Sequence, residues 1–132
     1  MSAPSESPVD VLAVDAHPDD VELGIGGILH KLAGLGYRLA ILDLTRGEMS
    51  TRGSVEERAE EAARAARVLG VASRHNAGLP DGALANTHDQ QSRVIPFIRM
   101  LRPRLLFIPM CDDRHPDHRA AYHLVRDAAY FA

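Results

Sequence analysis

The stretch from Val9 to Glu22 constrains the fold of this chain more than any other, because it joins a strand directly to a cluster of ionisable residues. Its first half, VDVLAVDA, is rich in apolar and β-branched residues, which is typical of a buried strand. Its second half, His17-Pro18-Asp19-Asp20, has a proline suited to the first turn of a helix and acidic residues suited to a helix N-terminus. Open α/β sheets bind their ligands at the carboxyl ends of strands. We therefore expect the functional site here.

Strand and helix patterns alternate along the rest of the chain. Further strands are predicted over residues 37–45, 73–79 and 105–109, the last of them buried, and helices over residues 21–33, 54–69 and 90–101, with a final helix to Tyr130 or Phe131. Pro96 is expected to kink or break the third helix. This alternation predicts one α/β domain over residues 9–132, with a Rossmann-like, mainly parallel sheet and helices on both faces. Residues 1–8 are expected to form a flexible N-terminal arm.

Two of the predicted helices carry more specific expectations. Gly24, Gly26 and Gly27 follow the strand–helix turn instead of forming it, so they do not match a phosphate-binding loop, and we expect them to allow close packing of the first helix on the sheet. Ser54 and Glu57 form a capping-box pattern for the second helix. The many charges of that second helix are interpreted as a solvated face.

Composition limits the class of protein and its partners. A hydrophobic content of 45% in 132 residues is enough for one globular domain with a core. A net charge of −3 provides no basic surface for nucleic acid. No apolar run approaches the roughly 20 residues of a membrane span, no signal peptide is recognised, and the single cysteine, Cys111, suits a reducing compartment. We therefore expect a cytoplasmic protein with no nucleic-acid or membrane partner, and a homo-oligomer remains open.

Two motifs with the same pattern carry the candidate chemistry. His17-x-x-Asp20 and His115-x-x-His118 each follow a strand, and each has proline second and aspartate third. Two imidazoles and a carboxylate form a tridentate set that suits Zn²⁺ and leaves a position open for water. Either motif alone is more often a capped turn than a metal site. Their occurrence at two equivalent strand ends favours a metal site.

Four segments of the chain form a longer series: AHPDDVE at residues 16–22, LTRGE at 44–48, LPDG at 79–82 and DRHPDH at 113–118. In order and approximate spacing, this series resembles the motifs of the PIG-L/LmbE-like zinc de-N-acetylases. Within that family it is most similar to the bacillithiol-biosynthesis deacetylases, which act on N-acetylglucosaminyl malate. The resemblance matches the N-terminal part of the family's usual domain, and the last helix lacks a stop signal near Ala132, so we expect a longer natural domain.

The resemblance implies a zinc-dependent hydrolase that removes the N-acetyl group from an N-acetylglucosaminyl substrate and releases acetate and a free amine. It implies that His17, Asp20 and His118 bind the zinc ion. It also implies that Asp19 is the general base that activates water. Burial and neighbouring charges commonly adjust carboxylates for this task. The expected partner is therefore a small amino-sugar molecule.

The resemblance further implies roles for four residues outside the metal site. His115, oriented by Asp117, would be the cationic group that stabilises the oxyanion or helps to protonate the leaving amine. A carboxylate within hydrogen-bond reach of an imidazole favours the protonated ring. Arg52 would contact the substrate, and Glu48 would bind it from the same loop.

Other classes of function remain open at this point. The chain could be a non-catalytic α/β module that binds metal or nucleotide, or a truncated and inactive family member. Neither G-x-G-x-x-G nor G-x-x-x-x-G-K-[ST] is present, which argues against nucleotide binding through Asp43. Glu22 is interpreted either as a partner of a metal ligand or as a first-turn helix acid. Asp113 is interpreted as a residue that shapes its turn.

Overall fold

The computed structural model describes residues 7–132, in which strands and helices alternate as predicted. The elements are β1 (Val11–Asp15), α1 (Asp20–Gly34), β2 (Leu39–Thr45), α2 (Val55–Leu69), β3 (Ser73–Leu79), α3 (His88–Leu101), β4 (Leu105–Phe107) and α4 (Pro116–Phe131). Of the predicted arm, residues 1–6 lie outside the described residues, while residues 7–8 are exposed and have no regular secondary structure. None of the helices in the described part is both long and apolar enough to cross a membrane.

The four strands form one parallel sheet in the order β3-β2-β1-β4. Val11 of β1 lies opposite Leu39 of β2 on one side and Leu105 of β4 on the other. Because the strand order reverses at β1, the carboxyl ends of β1 and β4 border a crevice at a topological switch point. The predicted α/β fold is therefore confirmed, and the two histidine motifs follow neighbouring strands.

Alternate residues of β1 belong to two separate cores. Leu12 and Val14 pack with buried residues of α3 and α4, whereas Val11 and Ala13 pack with buried residues of α1. All four side chains are almost completely buried. Burial of a valine or leucine side chain stabilises a fold by about 1.5–3 kcal/mol. Helices therefore cover both faces of the sheet and hold β1, which leads into the site, from both sides.

The glycines of α1 differ from the expectation. A Cβ atom on Gly26 would lie 3.7 Å from a methyl group of Leu69 in α2, while Gly24 and Gly27 have no such neighbour within 4 Å. The prediction that these glycines allow close packing on the sheet is therefore wrong, since the nearest neighbour belongs to α2 and the other, Glu22, to α1 itself. α1 also has a kink at Ile25, with φ −136° and ψ 16°, which the sequence did not predict.

The structure differs from two other local expectations, the break at Pro96 and the length and burial of the fourth strand. α3 continues through Pro96 without a break. Pro96 is exposed, so the carbonyl group that loses its helical hydrogen bond lies on the solvent side of the helix. β4 is shorter than predicted and only partly buried, with Leu105 48% exposed. Within the described residues, β4 has a neighbouring strand on one side only.

Candidate metal centre and active site

The ends of β1 and β4 position the two histidine motifs. His17 lies in the turn after β1, and Asp20 begins α1. The backbone N–H of Asp20 donates to the carbonyl oxygen of His17 at 3.2 Å, and that of His118 donates to the carbonyl oxygen of His115 at 3.1 Å. Each motif is therefore a closed turn that leads into a helix, and both helices begin at the same edge of the sheet.

His17, Asp20 and His118 converge on one point. Asp20 Oδ2 lies 2.9 Å from His17 Nδ1 and 3.0 Å from His118 Nε2. One ligand atom from each of the three residues lies within 4.8 Å of the others. Ligand atoms at tetrahedral zinc distances of about 2.0–2.2 Å from the ion are separated by about 3.3 Å. The three side chains are thus close to the spacing that a single ion needs.

His118 Nε2 provides an independent test of whether a metal fits. This nitrogen is buried and has no hydrogen-bond partner in the described part of the chain, because its approach to Asp20 lacks hydrogen-bond geometry. A buried polar atom without a partner is costly unless something else binds it. Two imidazoles and a carboxylate are a donor set that Zn²⁺ accepts. The residues present therefore fit a divalent metal.

The charges of this centre favour protons on the histidines when no metal is bound. Burial lowers the pKa of His17, but hydrogen bonds to Asp20 and Asp117 outweigh it and raise that pKa to about 9. The pKa of His118 is also raised, since its contacts with carboxylates exceed the effect of burial. Burial raises the pKa of Asp20, but the two histidines bring it below the ordinary value. A metal ion would therefore replace protons at this point.

Asp117 contacts His17 instead of the predicted His115. Its Oδ2 atom lies 2.9 Å from His17 Nε2, and its carboxylate accepts hydrogen bonds from the backbone N–H groups of Gly82 and Leu84 at 2.9 and 3.2 Å. The side chain is almost completely buried. The expectation that the Asp117 carboxylate orients His115 is therefore wrong, because that carboxylate joins a candidate metal ligand to the loop after β3.

His115 is oriented by the backbone of α4. Its Nδ1 atom accepts a hydrogen bond from the backbone N–H of Asp117 at 3.1 Å, so His115 is the N-cap of the helix. This contact places the proton of a neutral ring on Nε2. The ring centroid lies 4.8 Å from those of both His17 and His118. A neutral ring can therefore donate from Nε2 beside the candidate metal centre, which differs from the predicted cationic role.

Asp19 has an unusual backbone conformation. Its φ of 110° lies in a region that side chains other than glycine rarely adopt. The side chain is 60% exposed, and its Oδ2 atom is 3.9 Å from Arg58 Nη2. Burial and the neighbouring charge of Asp20 raise the pKa of the Asp19 carboxyl group. The carboxylate is therefore accessible beside the centre and accepts a proton more readily than an ordinary aspartate.

The two predicted substrate residues, Glu48 and Arg52, have different surroundings. Glu48 Oε2 accepts a hydrogen bond from the backbone N–H of Asp81 at 2.9 Å, and Asp81 Oδ2 accepts one from the N–H of Met49 at 2.8 Å. Glu48 therefore joins two loops. Arg52 is exposed and lines a cavity of about 520 Å³ that Asp19 also lines.

Arg58 was missed by sequence reasoning, which assigned the charges of α2 to a solvated face. The predicted capping box is present, since Ser54 Oγ accepts from the Glu57 N–H at 3.1 Å and Glu57 Oε2 accepts from the Ser54 N–H at 2.9 Å. One turn later, Arg58 Nη2 donates to the carbonyl oxygen of Pro18 at 2.9 Å. A Cβ atom on Gly47, whose φ is +67°, would lie 3.0 Å from this guanidinium. No sequence pattern distinguishes Arg58 from the other charged residues of α2.

Arg74 was also missed, and it explains two acidic residues. Its guanidinium contacts Asp43 Oδ2 at 2.7 Å and Glu22 Oε1 at 2.9 Å. Glu22 is therefore paired with an arginine instead of a histidine ligand. The carboxylate of Asp43 is paired with the same arginine. Arg74 lies in β3 without a motif around it, so only the strand register shows the pairing.

A cavity of about 270 Å³ lies beside the candidate metal centre. It is lined by His17, Asp19, Gly47, Met49, Ser50, Arg58, Asp81 and His115. The larger cavity that contains Arg52 shares Asp19, Ser50 and Arg58 with it. The fold and this site together define an α/β protein with a candidate metal centre at the carboxyl edge of its sheet, open to a small polar ligand.

Comparison with known proteins identifies the family. The model of the PIG-L family, GlcNAc-PI de-N-acetylase, matches residues 12–129. Diacetylchitobiose deacetylase from Thermococcus kodakarensis is 36% identical over 132 residues, which cover 92% of this chain and 49% of that protein. The chain belongs to the PIG-L family.

Solved structures agree with this assignment. The conserved protein TT1542 from Thermus thermophilus is 48% identical, with a TM-score of 0.89 over 92% of this chain and 56% of that one. N,N'-diacetylchitobiose deacetylase from Pyrococcus horikoshii, complexed with its inhibitor MPG, is 29% identical, with a TM-score of 0.83 over 92% of this chain and 49% of that one. The chain thus spans about half the length of these relatives.

Proposed function

We propose that this chain carries the catalytic centre of a zinc-dependent deacetylase that removes the N-acetyl group from an N-acetylglucosaminyl sugar. The observation that carries this proposal is the convergence of His17, Asp20 and His118 beside a cavity that Asp19 and His115 also line. A cytoplasmic location stays a prediction from the single cysteine.

Zinc, when bound by His17, Asp20 and His118, supplies a Lewis acid that polarises a carbonyl group and acidifies water. Asp19 accepts the proton of the attacking water, for which its raised pKa suits it, and returns a proton to the leaving amine. His115 donates a hydrogen bond from Nε2 to the oxygen that becomes negative. Acetate and a free amine are the products.

Recognition of the sugar is proposed to involve the two connected cavities. Arg58 borders both of them and faces Asp19, so it can bind polar groups near the acetyl group. Arg52 and Glu48 keep their predicted role as substrate contacts, with Arg52 on the larger cavity. The two relatives named for diacetylchitobiose support a neutral N-acetylglucosamine disaccharide, while N-acetylglucosaminyl malate stays the alternative.

Release of free amine from both substrates tests the proposal. We expect the zinc-loaded protein to deacetylate diacetylchitobiose more efficiently than N-acetylglucosaminyl malate, and the chelator-treated protein to be inactive until zinc is restored. A preference for the malate conjugate would contradict the choice of sugar. Metal binding without amine release from either substrate would favour the non-catalytic alternative.

A further inference from the structure

Asp113 contacts the second motif at two points. Its Oδ2 atom lies 3.1 Å from His118 Nδ1, and its Oδ1 atom accepts a hydrogen bond from the backbone N–H of His115 at 2.8 Å. The carboxylate is thus held at one oxygen by the backbone and presents the other to the ring. This is more than the turn-shaping role expected from the sequence.

The contact with Asp113 determines which nitrogen of His118 is free. A ring that donates from Nδ1 to a carboxylate has its lone pair on Nε2. Nε2 is the buried atom without a hydrogen-bond partner that faces Asp20. Asp20 and Asp113 therefore compete for the single proton of a neutral ring, and the hydrogen-bond geometry favours Asp113.

His17 shows the same arrangement with its nitrogens exchanged. Its Nε2 atom contacts Asp117 at 2.9 Å, and its Nδ1 atom faces Asp20. The two histidines thus need opposite tautomers, and each has a carboxylate other than Asp20 on its second nitrogen, with Asp81 Oδ1 also 3.0 Å from His17 Nε2. Carboxylates in this position orient histidine ligands and increase their basicity.

We propose that Asp113 is a positioning residue that holds His118 in the tautomer and orientation required to bind a metal through Nε2. The inference rests on the proposed metal centre, and it adds a role for a residue that has none in that function. Asp113 is 37% exposed, so its replacement does not leave a cavity in the core.

The test compares Asp113→Ala with Asp112→Ala, which removes the same charge from the exposed neighbouring residue. Zinc affinity is measured by competition with a chelator. We expect Asp113→Ala to weaken zinc binding roughly 10- to 100-fold, and Asp112→Ala to stay within about twofold of the wild type. Asp113→Asn should recover part of the affinity, because its amide oxygen can still accept from Nδ1. Equal affinities for the two alanine variants would overturn the proposal.

A second measurement is independent of metal. The ¹⁵N chemical shifts of the His118 ring in the metal-free protein, taken where the ring is neutral, should indicate a proton on Nδ1 in the wild type and a shift toward Nε2 in Asp113→Ala. An unchanged tautomer would overturn the positioning role. If the wild type bound no zinc, the proposed function would fail, while the tautomer would still decide whether Asp113 orients His118.

Discussion

Arg58 and Pro18 are joined by a hydrogen bond of 2.9 Å from the guanidinium to the carbonyl oxygen, which connects α2 to the turn that carries His17 and Asp19. We expect Arg58→Ala to lower kcat/KM by up to roughly 100-fold, because the turn is then free to shift and a misplacement of about 1 Å costs on the order of 10² in rate. Arg64→Ala, an exposed arginine on the same helix, is the matched control and should leave kcat/KM unchanged. Similar losses of kcat/KM in both variants would contradict a specific role for Arg58 and favour its interpretation as a solvated charge of α2.

The backbone conformation of Asp19 predicts that a glycine at this position increases stability relative to alanine, although activity is lost. A residue other than glycine at φ 110° is strained by about 1–3 kcal/mol. Asp19→Gly should therefore be more stable to urea than Asp19→Ala by about 1 kcal/mol, after the greater flexibility of unfolded glycine is subtracted. Both variants should lose about 10²–10⁴ in kcat. Equal stability of the two variants would show that the conformation is not strained.

The variant Asp19→Asn distinguishes a role of Asp19 as general base from a role as metal ligand. This variant keeps the size of the side chain but cannot accept a proton, so kcat should fall roughly 10²–10⁴-fold while zinc content stays at the wild-type value. Loss of zinc together with activity would place Asp19 among the ligands.

Much of the fold follows from local patterns in the sequence. The apolar runs that become β1 and β2, the capping box at Ser54 and Glu57, and the proline at the start of α4 each act through neighbouring residues. Such patterns predict elements and their order. Because parallel strands present their carboxyl ends at one edge, they also predict that His17 and His118 approach each other.

Several contacts that the sequence did not predict join distant segments. Asp117 contacts a histidine 100 residues away, and Arg58 contacts a carbonyl group 40 residues away. The family resemblance assigned the Asp117 carboxylate to the nearby His115, but that carboxylate contacts His17, and only the backbone N–H of Asp117 contacts the His115 ring, at Nδ1. The spacing of motifs along the chain does not show which distant segments pack together, so it does not predict these partners.

The buried ion pairs of Arg74 predict a large effect on stability. Arg74→Ala would leave Asp43, which is 2% exposed, without its cation, so the free energy of unfolding should fall by about 3–5 kcal/mol in urea. Adding Asp43→Leu should recover part of this loss, because the buried charge is then removed as well. A loss below about 1 kcal/mol in the single variant would mean that water reaches Asp43.

The raised pKa of His17 predicts how zinc affinity depends on pH. Zinc must displace the proton that His17 holds up to a pH of about 9, so the affinity should increase at least tenfold per pH unit between about pH 7 and 9 and level off above that range. In the metal-free protein the same shift contributes stability that is complete below about pH 6.5 and is lost as the pH rises through about 9. Asp117→Asn removes one carboxylate contact of His17 and should move the plateau to lower pH. Affinity that does not change with pH would contradict protonation of His17.

His17, Asp20 and His118 are proposed to bind one metal ion, and the zinc content of the purified protein tests this most directly. Elemental analysis of protein loaded with zinc and then dialysed should find one zinc ion per chain in the wild type and in His30→Ala, an exposed histidine outside the site. It should find almost none in His118→Ala. Equal zinc contents in all three proteins would contradict the account.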